Sequence, residues 1–360
     1  MQIDSLSRYF NVILGALVRC RLYFAILPAM VRENYDAMKK WQIILGVGAV
    51  VAALAASWIL YARSGGLNAD PGATSARYGG PPSQYIDIDG TRIHFKDEGN
   101  GDVIVLMHGS RANLAQWDGW VRELGDRYRI IRFDSLGHGL TGPDGRNDYS
   151  AARQLFLLDE LTTRLGATRF FLGGTSSGAT VAVRYAALHP QRVRALLLST
   201  VPLRLPSVNR VGHFDGAVFW FHDKVLHSLG TDLYWRTFLR SIYGDPSKVD
   251  NEVATRYRML NTLPGQQQRF EARLASWRKE GGADRDYALA AQVTAPILVQ
   301  WGAAGPVIPS AMHREIAAAF RGAKVQVMSY PQLGHKLVME DPARTAGDAE
   351  KFLNGMNIPR

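Results

Sequence analysis

A single cysteine in 360 residues excludes an internal disulfide framework and any cage of cysteine ligands for zinc or iron–sulfur clusters. Charge is also scarce. Asp, Glu, Lys and Arg make up 21% of the chain against 47% hydrophobic residues, a balance too apolar for a mainly disordered protein. No repeat of 20–50 residues stands out, which argues against a solenoid or propeller. The basic excess, 42 Lys and Arg over 32 Asp and Glu for a net charge of +10, is spread along the whole length. No basic stripe with interleaved aromatics appears, so no nucleic-acid partner is expected. There is no glycine-rich phosphate cradle and no dinucleotide fingerprint, so no cofactor is expected. His213, His222 and His227 are spaced so that they do not share a helix face, and no metal site is expected there.

One stretch lacks charge altogether: the 22 residues from Trp41 to Ala62, between Lys40 and Arg63. As a helix it would cover about 33 Å, enough to cross a bilayer's hydrocarbon. Trp41 at one end and Trp58 with Tyr61 at the other suit the membrane interface. A buried soluble helix is the alternative, but one of this length without a polar face is rare. Four basic residues (Arg21, Arg32, Lys39, Lys40) fall in the 20 positions before the span and two (Arg63, Arg77) in the 20 after it. That asymmetry keeps the N-terminus cytoplasmic and exports the chain beyond Arg63. A rival reading starts at Met38 and treats the stretch as a signal peptide, with Ala53-Leu54-Ala55 as a small-x-small cleavage site. Both readings place the C-terminal domain outside the cytoplasm. Residues 9–31 are apolar too, but Arg19, Arg21 and Pro28 argue for a membrane-surface helix over a second span. Residues 1–40 are thus a cytoplasmic or interfacial segment, 41–62 an anchor or signal, and 63–83, rich in Gly and Pro, a flexible linker.

From Gln84 the pattern becomes alternating. Tyr85–Ile88, the turn pair Asp89-Gly90 and Arg92–Phe95 read as a hairpin. Short apolar runs come next at Val103–Met107, Arg129–Phe133, Arg169–Leu172, Ala195–Leu198, Ile297–Gln300 and Lys324–Met328. Helical stretches such as Ala151–Leu165, Gly178–Leu188 and Ser310–Phe320 separate most of them. Strands alternating with helices predict a mostly parallel sheet covered on both faces. Residues 84–202 and 291–360 form this core. Between them, residues 203–290 carry no strand-like run and read as a helical insertion over the sheet's C-terminal edge, where open α/β sheets bind ligands.

After the run ending at Leu172 comes Gly174-Thr175-Ser176-Ser177-Gly178, a G-x-S-x-G turn between a strand and a helix. Centring on Ser176 puts Gly174 and Gly178 at the tight positions; centring on Ser177 would put Thr175 and Ala179 there. Ser176 is therefore the expected nucleophile. The stretch from Val105 to about Leu203 resembles the α/β-hydrolase superfamily, in the capped branch of esterases, lactonases, haloperoxidase-like enzymes and dehalogenases. The matching residues are His108-Gly109-Ser110, Arg132 to Gly139, the serine turn, and Tyr185 to Val193; resemblance resumes at Pro296–Pro309 and Gly334-His335. It implies an α/β-hydrolase fold, a mostly parallel twisted sheet with a helical cap, here preceded by a transmembrane helix. It also implies His335 as the base and the Ser110 and Ser177 backbone amides as the oxyanion hole. His108, Asp134 and His138 match family positions and are read as shaping loops. A serine where dehalogenases carry aspartate points to acyl transfer.

The resemblance breaks at the third member of the triad, the carboxylate that orients the histidine. Past Trp301-Gly302, where the acid is expected, stands Gly305. The family's alternative place, around Leu198–Pro202, has no carboxylate either. Three explanations compete: a weakened Ser176–His335 dyad, an acid folding back from elsewhere, or a binder that has lost turnover. A haloperoxidase or perhydrolase-like enzyme would use the same residues. The many aromatics of 203–290, among them Phe214, Trp220, Trp235, Tyr257, Phe270 and Trp277, favour a small apolar ester or lactone as substrate over a sugar or highly charged molecule.

Overall fold

The computed structural model describes residues 39–204, 213–305, 307–308 and 312–356, with side chains from residue 45 on. The expected surface helix at 9–31 lies outside the described residues. The chain divides into two units, Met1–Tyr61 and Ala62–Arg360. In the first, Lys39–Tyr61 is a single helix. The apolar stretch Leu45–Gly66, 22 residues, is long enough to cross a membrane.

The second unit is built on one eight-stranded sheet. Its strands are β1 Gln84–Ile88, β2 Thr91–Glu98, β3 Asp102–Met107, β4 Tyr128–Phe133, β5 Phe170–Thr175, β6 Val193–Ser199, β7 Ile297–Gly302 and β8 Val325–Tyr330. The order is β1-β2-β4-β3-β5-β6-β7-β8. Only β1–β2 and β2–β4 pair antiparallel; the rest are parallel. The hairpin falls where expected, with Ile88 opposite Thr91 and positive φ at both Asp89 and Gly90, as the tight primed turn requires. Central strands are largely apolar because both faces are covered. In β3, Val105 and Met107 face the core under helices Ala151–Arg164 and Ser177–Leu188, while Ile104 and Leu106 face the core under Asp118–Leu124 and Pro342–Asn354. Every residue of β7 is buried, whereas β8 at the edge exposes Gln326 and Val327.

Between β6 and β7 lie five α-helices among the described residues, His213–Trp220, Asp232–Arg240, Asn251–Asn261, Gln266–Lys279 and Gly282–Ala290, and no strand. Trp235, Leu239, Tyr243 and Tyr257 form a core between Asp232–Arg240 and Asn251–Asn261. The linker expectation fails in this unit. Pro71–Tyr78 is a helix, capped by Asp70, whose carboxylate accepts from the Ala73 amide. It docks on the cap: Arg77 and Tyr78 both reach Glu252, and the Ala69 amide donates to the Thr262 carbonyl at 3.1 Å. Proline at the first helical position is as much a start signal as a breaker, and an aspartate stands before it.

Candidate active site

β5 ends at Thr175, and Ser176 comes next with φ 52° and ψ −127°, a conformation that an L-residue with a side chain adopts only under constraint. The constraints are visible. The Ser176 amide donates to the Ser199 carbonyl at 3.0 Å, while helix Ser177–Leu188 starts at the next residue. A methyl carbon added at Gly174 would lie 2.6 Å from the Ala179 nitrogen. One added at Gly178 would lie 2.4 Å from the His108 carbonyl oxygen. Glycine at both positions lets the helix turn back onto the strand and lets the 108–110 loop close over it. Gly109 matters for the same reason, since a methyl there would lie 3.0 Å from Ser176 Cβ.

That loop brings Ser110 beside Ser177, and the Ser110 hydroxyl donates to Ser177 Oγ at 2.9 Å. Neither backbone amide has an acceptor among the described residues. His108 holds the loop in place. Its Nε2 accepts from the Ser135 amide at 2.9 Å, which leaves Nδ1–H to donate to the Gly109 carbonyl at 2.8 Å. Burial pushes its imidazole down to about 4. Asp134 accepts from His94 Nδ1 at 2.7 Å and from the Leu114 and Leu140 amides at 2.7 and 2.8 Å. Burial alone would raise its carboxyl, but the His94 and His108 imidazoles and the Leu140 amide together outweigh this and hold it below its ordinary value. Both side chains are spent on loop geometry, as is His138, which lies edge-on to His108.

His335 comes after β8 on the same sheet edge. Its carbonyl accepts from Thr200 Oγ1 at 3.3 Å, one residue past the Ser199 carbonyl that holds Ser176. Its amide donates to the Ile242 carbonyl at 2.8 Å, and the Glu340 carboxylate accepts from the Gly334 amide at 3.0 Å. The backbones of 176 and 335 are thus fastened to adjacent residues at the end of β6. Burial, with the neighbouring Lys336 ammonium, pushes the His335 imidazole down to about 3. Among the described residues no carboxylate opposes that shift.

Gly305 sits against the same loop. A methyl carbon there would lie 2.8 Å from the His335 nitrogen and 3.1 Å from the Gly334 carbonyl carbon. An aspartate could enter only by pushing the histidine's own backbone away. The loop has closed over the place where the acid is expected.

A cleft open at its mouth is lined by both Ser110 and Ser177. Val181, Pro202, Phe270, Leu274 and Trp277 supply apolar wall. Of the cap aromatics singled out in the sequence, most pack in the cap's core or face solvent, as Phe214 and Trp220 do. Three arginines also line the cleft, Arg184, Arg204 and Arg273, and among the described residues no carboxylate lines it with them. Sequence reasoning missed these. One signal was available: Arg184 is the lone charge in a helix otherwise apolar or small, Ser177–Leu188.

A sequence profile of the α/β-hydrolase fold matches residues 102–342. An uncharacterized protein of Mycobacterium tuberculosis is 27% identical over 284 residues, covering 76% of this chain and 82% of that protein. A monoacylglycerol lipase of Xenopus laevis is 24% identical over 263 residues, covering 72% and 77%. Among solved structures, a membrane phospholipase A described as a bacterial virulence factor superposes with TM-score 0.62 at 20% identity, over 87% of this chain and 98% of that one. A meta-cleavage product hydrolase of Pseudomonas fluorescens superposes with TM-score 0.63 at 20% identity, over 75% and 97%. With sheet order, serine turn and profile in agreement, the chain belongs to the α/β-hydrolase fold family.

Proposed function

We propose that this hydrolase cleaves carboxylic esters or lactones bearing an apolar group, through an acyl-enzyme on Ser176. The observation that carries the reading is the backbone at Ser176, held at φ 52° between β5 and the next helix beside two unengaged amides. Strain of this kind persists only where the surrounding fold imposes it, and here it lifts a hydroxyl to the sheet's edge. Ser176 Oγ attacks the acyl carbon while His335 takes its proton. The Ser110 and Ser177 amides receive the developing oxyanion. The alcohol leaves with the proton, and His335 then draws a proton from the water that releases the acid. Without an acid behind His335 the rate falls by roughly 10⁴ against a full triad, yet oxyanion stabilisation and binding keep it above water. The helix over 39–61 anchors the enzyme, with the N-terminus cytoplasmic and the hydrolase unit outside.

Hydrolysis of p-nitrophenyl butyrate and octanoate by the full chain in detergent tests this. Ser176→Ala should lower kcat/KM by about 10² or more, removal of a nucleophile costing more than loss of one oxyanion donor. Unchanged turnover in that variant would rule out the serine mechanism. A wild-type chain inert toward every ester would favour a binding protein on the same fold, the reading that the missing carboxylate supports.

A further inference from the structure

The cleft beside Ser110 and Ser177 holds an electrostatic imbalance. Arg184, 2% exposed, bonds through Nε to the Asp286 carboxylate, and Trp277 donates to the other oxygen of Asp286 at 3.0 Å. The Asp286 charge is thereby spent. Arg184 Nη1 meets Glu280 only at 3.5 Å, and Glu280 also faces Arg285 at 3.4 Å. Arg184 Nη2 is buried with no hydrogen-bond partner among the described residues. Arg204 is offset at the surface by Glu315 at 3.2 Å. Arg273 has no such offset. It reaches only the ring nitrogens of His138, at 3.1 and 3.4 Å, and forms no ion pair among the described residues. Burial, with the Arg184 guanidinium nearby, holds Arg273 down to about 10.

Three guanidinium groups, Arg184, Arg273 and Arg285, against two carboxylates, Asp286 and Glu280, is an arrangement that a fold carries at a cost unless something neutralises it. A planar guanidinium with free N–H groups is matched by the paired oxygens of a carboxylate or phosphate. We infer that the ester substrate carries a second, anionic oxygen group, bound in this cleft by Arg273 with Arg184 behind it, while its apolar chain lies along Phe270, Leu274 and Trp277. This rests on the cleft being the substrate site of the proposed hydrolase. It narrows the substrate from an apolar ester to an amphiphile: a half-ester of a dicarboxylic acid or an acyl ester bearing a phosphate.

The test is binding to the full chain carrying Ser176→Ala, so that no ligand is turned over, measured calorimetrically in nanodiscs. Monomethyl suberate is compared with dimethyl suberate, its neutral twin, and 1-octanoylglycerol 3-phosphate with 1-octanoylglycerol. In at least one pair the anion should bind about 10- to 100-fold tighter, the value of one or two charge-assisted hydrogen bonds. Arg273→Gln should abolish that preference and Arg273→Lys should keep part of it. The pair that responds identifies the anion as carboxylate or phosphate. The comparison within each pair needs no Arg273 variant, so a misfolded variant does not blunt the test. Affinities within twofold in both pairs, or a preference that survives Arg273→Gln, would overturn the inference. If the anion preference holds but wild-type protein hydrolyses none of these esters, the anion site stands and the hydrolase reading falls. If dimethyl suberate is hydrolysed by way of Ser176 and no anion is preferred, the reverse is true.

Discussion

Ester hydrolysis by the wild-type chain should hold level, within about twofold, from pH 8 down to pH 5. His335 is pushed down to about 3 by burial and Lys336, so its imidazole stays neutral and able to accept a proton across that range. A histidine base at its ordinary value near 6.5 would lose about 30-fold in activity over the same interval. The shift has the opposite effect on stability. The unfolded chain binds a proton at His335 below about pH 6.5, which the folded state refuses until near pH 3. Stability is therefore unaffected above that window and falls as pH drops through it. His108, held down to about 4, adds to this loss. Acid inactivation should accordingly track unfolding, read by circular dichroism on the samples used for kcat/KM. An acidic limb centred near pH 6.5–7 on protein that is still folded would contradict this account. It would mean that His335 titrates near its ordinary value, solvated or met by a carboxylate, and is not the buried, unpaired base described above.

Asp134→Ala should lower the free energy of unfolding by about 3–5 kcal/mol, since each buried donor left without its acceptor costs about 1–3 kcal/mol. Three donors converge on this carboxylate, and all would be stranded. The His94 ring is 2% exposed, and its other nitrogen contacts Ser83 Oγ at 2.9 Å. The Leu114 and Leu140 amides lie in the loops after β3 and β4. Gly139 packs so closely on this carboxylate that a methyl carbon there would lie 2.0 Å from Asp134 Oδ2. Urea unfolding of the hydrolase unit, monitored by tryptophan fluorescence, measures the difference. A loss under about 1 kcal/mol would show that Asp134 is not the clasp between these two loops.

The sheet is legible in the sequence because its signal is local. A parallel strand covered on both faces must be apolar along its length, and β3, β5, β6 and β7 each announce themselves within six or seven residues. The serine turn is legible because glycine is demanded two residues to either side by backbone contacts of 2.4–2.6 Å. The helix Pro71–Tyr78 is not, because Pro71-Gly72 and Gly79-Gly80 look like a linker. The decisive facts are its cap Asp70 and a partner, Glu252, more than 170 residues away. The cleft's charge is hidden for the same reason. Arg184 and Asp286 are 102 residues apart, and Arg273 sits in Gln266–Lys279, a helix with basic residues at many positions, so nothing local marks which of them turns inward. Position 305 is readable in the sequence only as an absence. The fold adds that the loop has settled against His335 and left no room for a side chain.

The central claim is that the Ser176 hydroxyl is a nucleophile activated by His335. Intact-protein mass spectrometry after treatment with a fluorophosphonate addresses it directly, with peptide mapping of the modified chain. One adduct per chain should form on Ser176, more slowly in His335→Ala and not at all in Ser176→Ala. No adduct, or one mapped to Ser177 or Ser110, would contradict the claim.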